Sequence, residues 1–458
     1  MRRWLAILAL LLVGSPAAAG SGDVALAREA FQFAFPVYEI ARTRAQALGT
    51  AEKPGAVKAN DFVHRRNLSD HRSRSVTTPN NDTLYSSAFL DLTTGPVRLT
   101  LPALPDRYHS AALMDLFTDN FAILGTRTTG GKGGDYLIAG PAWRGKVPRG
   151  ARLVRAKTAD IWLLVRILAD GPGDLPAARA AQDALRLNST QAGSGVAVRE
   201  AAPADPDPAR FLAVVNEMLG RGPLPAPHKA QVKRFARVGI IPGGGQSWPT
   251  LPPAIQKIWS DNFARFREEL GGGLAGSATL RNGWAYPSPA IGNFGRDYLY
   301  RAQVALGGLA ALPPREAMYL TARSDAAGKP LDGAASYLLT LPPRPPLDGF
   351  WSLSMYEVAP DGRLYFTSNP IGRYAIGDRT RGLTRNRDGS VDILIQRDRP
   401  AETANWLPAP PGPFRLVWRA YLPREPLLDG RFSLPPVRRV APLEVPFRGQ
   451  QPLGEARP

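Results

Sequence analysis

Cysteine is absent from this 458-residue chain, and histidine occurs only four times. Without cysteine, the protein forms neither disulfides nor thiolate zinc sites, and no lipid can be attached through that residue. The sequence also contains no HExxH metal motif, no GxSxG nucleophile elbow and no P-loop ending in Gly-Lys-Ser/Thr. These absences argue against the common zinc, esterase and ATP-dependent enzymes, and they require a fold that is stabilised by burial alone.

Long apolar runs are missing as well. The longest, at residues 4–13, has about half of the roughly 20 residues that span a bilayer. It follows Arg2 and Arg3 and precedes the small residues Ala17 and Ala19, which is typical of a cleaved export signal. We therefore predict a signal peptide cleaved near Ala19, no transmembrane anchor, and a periplasmic or secreted protein. The general secretory route is favoured over the twin-arginine route.

Basic residues outnumber acidic ones, and the formal net charge is +18. Only nine of the 57 basic residues are lysine, however, and the arginines are spread along the whole chain instead of being grouped in a basic helix with aromatic residues. We interpret the charge as a solvated, arginine-rich surface and expect no nucleic-acid partner. Attraction to anionic envelope polymers or acidic ligands is the alternative.

Hydrophobic periodicity divides the chain into helical and strand-rich parts. Apolar residues recur at helical spacing in residues 24–48, where Pro36 predicts a bent or broken helix pair, and again in the middle of the chain. Short segments with a period of two, separated by turn formers, occupy residues 84–169 and return after Ala317. We predict a β-rich α+β fold with two antiparallel β-sandwich lobes joined by a helical middle segment.

The same pattern sets the expected domain boundaries, which are a signal peptide at 1–19, an N-terminal helical segment at 20–60, a first β domain at 61–170, a helical segment at 171–312, a second β domain at 313–445 and a tail at 446–458.

Four long motifs carry a family resemblance. They are PNNDTLYSSAFLDL at 79–92, RYHSAALMDLFTDNFAILGTRTTG at 107–130, GFWSLSMYEVAPDGRLYFTSNPIGRYAIGDRT at 349–380 and NWLPAPPGPFRLVWRAYLP at 405–423. With these motifs in this order, most of the chain after the signal resembles a bacterial family that combines domains of unknown function 1254 and 1214. The resemblance implies an often exported protein with two jelly-roll-like lobes. It implies no reaction and no site residue.

The PNNDT segment is the first candidate site. Asn and Asp side chains bond their own backbone, so this segment predicts a tight turn before the strand at 84–90. The functional alternative is that Asn80, Asn81, Asp82 and Thr83 present oxygens and amides to a hydroxyl-rich ligand or a hard cation such as calcium. No EF-hand spacing supports calcium, and we expect no cofactor and no bound metal.

Further candidates follow in the next motif. Asp115 and Asp119 would lie about 13 Å apart in an extended strand, so they can act as an acid/base pair only if the chain turns between them. Asn120 is a candidate ligand-binding residue beside them. The glycine-rich segment at 125–136 is interpreted as a hairpin loop in which Arg127 can clamp an oxyanion.

In the second β region, Glu357 belongs to a polar series along turns, and Trp406 lies in a loop-like segment where its ring could stack on a sugar.

Two functions stay open. The first is an exported hydrolase or lyase acting on a glycan or another polyhydroxylated substrate, with Asp82 and either Asp115 or Asp119 as acid and base and with Arg127 as charge stabiliser. The second is a non-catalytic periplasmic binding protein that holds a polar or anionic ligand in a cleft between the lobes. The few proton carriers beside many Asn, Tyr and Trp residues motivate the second.

Overall fold

The computed structural model describes residues 21–189, 198–244, 247–271 and 276–441. The predicted signal peptide at 1–19 and the predicted tail at 446–458 lie outside the described residues.

The first lobe is a sandwich of two sheets. Sheet A is antiparallel and has the order β1 (Val63–Arg65), β2 (Thr83–Asp91), β8 (Asp160–Leu168), β4 (His109–Met114) and β5 (Asn120–Gly125). Sheet B has the order β7 (Ala151–Arg155), β6 (Gly134–Ala139), β3 (Val97–Leu101) and β9 (Arg186–Ser189), with β6 and β7 parallel. Leu84, Leu163 and Leu99 pack between the sheets. Helix α3 (Leu175–Asp183) and β9, which lie beyond the expected boundary at 170, belong to this lobe.

The second lobe repeats this architecture. Sheet C has the order β10 (Thr279–Arg281), β11 (Trp284–Tyr286), β12 (Ala317–Ala322), β19 (Phe414–Tyr421), β14 (Trp351–Val358) and β15 (Leu364–Tyr365), and β16 (Ala375–Gly377) also pairs with β14. Sheet D has the order β18 (Trp406–Pro408), β17 (Val391–Gln396), β13 (Ser336–Leu341) and β20 (Arg438–Val440), with β17 and β18 parallel. Trp418, Leu339 and Ile393 pack between these sheets. The predicted β-rich fold with two sandwich lobes is confirmed.

A helical layer packs beside the first lobe. It contains α1 (Ser21–Leu48), α4 (Pro208–Leu219), α5 (Ala226–Phe235), α6 (Pro253–Gly271) and α7 (Tyr298–Gly307). Aromatic rings fill its centre, where Phe31 stacks on Phe211 with 5.1 Å between the ring centroids. The first helix is continuous through Pro36, and the N-terminal helix shares one core with the middle segment.

The remaining helices in the described ranges are short: α2 (Thr126–Thr129), α8 (Glu425–Leu428) and the 3₁₀ turns Pro172–Asp174, Ala236–Val238 and Trp248–Thr250. Within those ranges, no helix combines the length and the apolar character that a membrane crossing requires.

A buried ion pair fastens the helical layer to sheet A. The chain turns between β4 and β5, and the Asp119 carboxylate accepts hydrogen bonds from the Phe294 backbone N–H at 2.8 Å and from Arg301 at 3.1 Å. Arg301 is 0% exposed and also donates to the carbonyls of Phe117 and Gly295. Removing one partner of such a pair leaves a buried charge without compensation.

We predict that Arg301→Met lowers the free energy of unfolding by about 3–5 kcal/mol, because the Asp119 carboxylate loses its buried cation. Urea denaturation followed by circular dichroism measures the change. Arg315→Met is the matched control, since Arg315 forms an exposed ion pair with Glu425, and its cost should stay below about 1 kcal/mol. Equal costs for the two variants would contradict this role of Arg301.

The same turn generates a prediction about pH. Burial and the neighbouring Asp119 carboxylate raise the pKa of Asp115 to about 7, and Asp115 Oδ2 has no hydrogen-bond partner. In the unfolded chain this carboxyl ionises near its ordinary pKa of about 4, so between about pH 4 and pH 7 the unfolded state binds fewer protons than the folded one. Stability from this group therefore falls by about 1.4 kcal/mol per pH unit as pH rises through that interval.

Asp115→Asn should remove this slope, because the amide does not ionise while its oxygen can still accept the backbone N–H groups of Phe117 and Asp119. Urea denaturation of both proteins at several pH values from 4 to 8 tests it. The difference in unfolding free energy between variant and wild type should grow in favour of the variant with rising pH. A difference that is constant with pH would show that Asp115 is already ionised in the fold.

Candidate functional site

A cavity of about 960 Å³ lies between the two lobes. One wall is the face of sheet A that points away from sheet B, and the opposite wall is the equivalent face of sheet C. The end of α1, helix α7 and the segment at 307–311 line its helical side. We call this space the inter-lobe cavity. Clefts between lobes are common ligand sites because they bury most of a bound molecule's surface.

The sheet A wall follows from the period-two geometry of β2 and β8. In β8, the buried residues Ile161, Leu163, Val165 and Ile167 point into the sandwich core, so the alternate residues face the cavity. The resulting cavity-facing pairs are Tyr85 with Arg166, Ser87 with Leu164, and Phe89 with Trp162.

The sheet C wall is built in the same way by β12 and β19. Tyr319 lies opposite Arg419, and Thr321 lies opposite Val417. Arg323 and Arg415 continue this face beyond the end of β12. Each wall therefore carries a tyrosine and an arginine side by side on neighbouring strands.

The two strand arginines are buried without a carboxylate partner. Arg166 is 4% exposed and Arg419 is 2% exposed, and neither forms an ion pair within the described part of the chain. Arg166 donates from Nη2 to the Ala310 carbonyl at 2.9 Å and also interacts with the Tyr85 hydroxyl, while its Nε and Nη1 have no hydrogen-bond partner. A buried cation with unsatisfied donors is costly unless an anion compensates it.

Arg419 forms short side-chain hydrogen bonds, but one of its N–H donors also has no partner. It donates to Ser354 Oγ at 2.6 Å and to the Tyr356 hydroxyl at 2.6 Å, and its Nε has no partner. Burial by itself lowers the pKa of the Arg419 guanidinium, but nearby Tyr356 and Asp82 offset that effect and the pKa lies above its ordinary value. The group is therefore a permanent cation.

Tyrosine rings accompany both cations. The Arg166 guanidinium carbon is 5.5 Å from the centroid of the Tyr85 ring, and that of Arg419 is 5.4 Å from the centroid of the Tyr319 ring. Burial raises the pKa of Tyr319 to about 12, so its hydroxyl keeps its proton at neutral pH and can donate it to an acceptor.

The charge of the lining is strongly positive. In the part of the chain that the structure describes, the arginines of the lining are Arg65, Arg166, Arg323, Arg415 and Arg419, and its only acidic residue is Asp61. Burial lowers the pKa of the Arg415 guanidinium, and the like charge of Arg323 lowers it further. Focused positive potential in a cleft attracts and concentrates anions.

The predicted turn at PNNDT forms beside this cavity. The Asp82 backbone N–H donates to Asn80 Oδ1 at 2.7 Å. Asn80 lines the cavity and donates to the hydroxyls of Tyr421 at 2.9 Å and Tyr85 at 3.1 Å. Asp82 accepts from Ser352 Oγ at 2.7 Å and from the Tyr421 hydroxyl at 3.0 Å. Asn80 and Asp82 thus join the first lobe to sheet C.

The other two residues of this segment point elsewhere. Asn81 donates to the Ser69 carbonyl at 2.5 Å, and the buried Thr83 hydroxyl accepts from Asn80 Nδ2 at 3.3 Å. Of residues 80–83, Asn80 is the one that lines the cavity.

The Asp115 to Asn120 group lies at the helical junction. The chain does turn there, as an acid/base pair would need, because the Asp115 N–H donates to the Asp119 carbonyl at 3.0 Å. Both carboxylates are buried. Asp115 accepts the Asp119 backbone N–H within the turn, and Asp119 accepts from Arg301. Asn120 donates to the carbonyls of Gly292 and Ala311. None of these three side chains lines the inter-lobe cavity, and their catalytic and ligand-binding roles stay predictions.

The remaining sequence candidates are spread over both lobes. Arg127 pairs with the buried Glu316 at 2.7 Å, and Glu357 pairs with Arg74 at 2.6 Å. Trp406 is fully buried in the second lobe and donates to the Gln396 carbonyl at 2.9 Å. The structure does not gather these residues with Asp82, and their roles also stay predictions.

Sequence reasoning missed Arg166, Arg419, Tyr85 and Tyr319. The available signal was an arginine inside an otherwise apolar strand, in LLVRIL and again in LVWRAY.

Within residues 21–189, 198–244, 247–271 and 276–441, no group of three His, Asp or Glu side chains could hold a metal ion. The expectation that the protein needs no cofactor stays a prediction, and so does the alternative that it binds calcium.

Comparison with known proteins adds relatives but no activity. The chain is similar to the solved VPA0106 protein from Vibrio parahaemolyticus, with 25% identity and a TM-score of 0.70 over 92% of this chain and 100% of that one. It is less similar to a putative uncharacterized protein from Burkholderia cenocepacia, with 14% identity and a TM-score of 0.43 over 90% of this chain and 88% of that one. No curated protein matches the chain.

Family models match both lobes. Residues 59–189 match the family described as protein of unknown function DUF1254, and residues 316–425 match the one described as protein of unknown function DUF1214. Arg166 lies in the first matched region and Arg419 in the second. The chain therefore belongs to the two-domain family that joins DUF1254 to DUF1214.

Proposed function

We propose that this protein binds an organic anion in the inter-lobe cavity, as a binding protein and not as a hydrolase. The observation that carries the proposal is the pair of buried arginines, one from each lobe, that line this cavity without a carboxylate partner. Guanidinium groups offer several fixed donors that suit carboxylate oxygens. A bound anion would supply both the missing charge and the missing acceptors.

The composition of the lining favours binding over acid–base catalysis. A general acid or base must reach the substrate within hydrogen-bond distance, directly or through one water. Among the lining residues within the described ranges, Asp61 is the only acidic one, and it is exposed. Asp82 is directed to Ser352 and Tyr421. The hydrolase or lyase hypothesis therefore has no convergent carboxylate pair at this cavity to support it.

We also propose that binding takes place outside the cytoplasm. The support is the sequence at residues 1–19, with its basic start, short apolar run and small residues before Gly20. The absence of cysteine is compatible with an oxidising compartment, because no thiol is at risk of mispairing.

We predict that Arg166→Met abolishes stabilisation by anions but leaves the protein without added anion within about 1 kcal/mol of wild type, because the variant loses the contacts to Ala310 and Tyr85 but also removes a buried charge that has no carboxylate partner. Thermal denaturation with benzoate, decanoate, succinate and sulfate measures both effects. An anion at 100 times its dissociation constant should stabilise wild type by about 2.7 kcal/mol. Arg315→Met serves as the control that keeps this stabilisation.

Two results would contradict the proposal. The first is anion stabilisation that Arg166→Met retains in full, which would place the anion elsewhere. The second is destabilisation of the ligand-free protein by Arg166→Met as large as that caused by Arg301→Met, which would make Arg166 a structural residue. Loss of anion stabilisation in Asp82→Asn alone, with a product released from the ligand, would support the enzyme hypothesis instead.

A further inference from the structure

We infer that the bound anion is an amphipathic monocarboxylate, whose carboxylate lies between Arg166 and Arg419 and whose elongated apolar body extends along sheet A to Phe89 and Trp162. This inference rests on the proposed function, because it assumes that the inter-lobe cavity binds an anion. It adds the chemical class of the ligand and the direction in which the ligand lies.

The sheet A wall changes from polar to apolar along one line. Arg166 and Tyr85 form one end, Leu164 lies in the middle, and the stacked rings of Phe89 and Trp162 form the other end, with 5.4 Å between their centroids and 12° between their planes. Arg166 and Trp162 are separated by four residues of one strand, which corresponds to about 13 Å. A ligand that contacts both ends must therefore be long, charged at one end and apolar along its body.

The helical side of the cavity continues the apolar character. Its lining includes Ile291, Val304, Leu309, Ala310 and Ala311. Burial of aliphatic or aromatic surface against such walls gives a favourable transfer free energy that grows with each methylene group.

Two polar side chains in the lining, Ser87 and Asn80, are already bonded within the protein. Ser87 accepts the Trp162 indole N–H at 2.8 Å. The two protons of the Asn80 amide are taken up by the nearer hydroxyls, those of Tyr421 at 2.9 Å and Tyr85 at 3.1 Å. A sugar body would leave several of its hydroxyls without partners in this region, which is unfavourable when they are buried. The wall is thus better matched to a hydrocarbon body than to a glycan.

The opposite end offers donors for one carboxylate. Arg166 and Arg419 carry donors without partners, and Tyr85 accepts a hydrogen bond from Asn80, which leaves its own hydroxyl proton free to donate. Tyr319 keeps its proton and lies beside Arg419. Arg166 and Tyr85 belong to sheet A, Arg419 and Tyr319 belong to sheet C, and Tyr319 is an electrostatic neighbour of the other three. A carboxylate that contacts both arginines would therefore contact both lobes at once.

The test is a calorimetric titration of the purified protein with acetate, butanoate, octanoate and decanoate, and with decanol, succinate and phosphate. Affinity should rise at least about tenfold from butanoate to decanoate, since each added methylene is buried. Decanol should bind at least about tenfold more weakly than decanoate, because it lacks the charge that the arginines recognise. Trp162→Ala should weaken decanoate about tenfold and butanoate less than about twofold, whereas Trp143→Ala, at a tryptophan outside the cavity, should change neither.

The outcomes separate this inference from the proposed function. Carboxylates that bind through Arg166 with no dependence on chain length, or succinate or phosphate that bind more tightly than decanoate, would overturn the amphipathic ligand but leave anion binding intact. Decanol that binds as well as decanoate, or no binding by any anion, would overturn both. The chain-length series in wild type decides the question even if Trp162→Ala does not fold.

Discussion

Burial of two like charges at the contact between two β-sandwiches is the constraint on which this structure depends. Arg166 and Arg419 occupy central strands of sheets A and C, and the residues directly before and after each of them are apolar. Placing a cation there costs free energy, and the groups that contact the two guanidinium groups are hydroxyls, carbonyls and tyrosine rings, with Asp82 near Arg419 but not in an ion pair with it. The anion binding that we propose would be favoured at such a site, because the cations are desolvated when the protein folds and not when the anion binds.

The joint between the lobes keeps this site in place. Asp82 of the first lobe accepts hydrogen bonds from Ser352 and Tyr421 of the second. In the opposite direction, Glu316 of the second lobe accepts hydrogen bonds from Tyr108 and Arg127 of the first. These hydrogen bonds join side chains of the two lobes directly. They hold the two walls of the inter-lobe cavity at a fixed separation, so that a ligand need not order the lobes when it binds. The helical layer, fastened through Arg301, supports sheet A from the side.

Much of the architecture was predictable from sequence, because a period of two and a period of 3.6 report directly on which face of an element is buried. The turn at PNNDT was predictable for the same local reason. The site was not, because it depends on which strand faces meet. Arg166 and Arg419 are separated by 253 positions in the chain. They lie on β8 of sheet A and β19 of sheet C, and they reach one cavity because the outer faces of these two sheets line it. The polar candidates Asp115, Asp119 and Arg127 were chosen because they are close in sequence. In the fold, Asp119 pairs with Arg301 and Arg127 with Glu316, while Asp115 Oδ1 accepts the backbone N–H groups of its own turn.

A crystal structure with a decanoate analogue that carries bromine on its terminal carbon would test the central claim most directly. The account predicts electron density for the carboxylate between Arg166 and Arg419 and an anomalous bromine peak next to the rings of Phe89 and Trp162. A carboxylate bound away from both arginines, or a bromine peak outside the inter-lobe cavity, would contradict it.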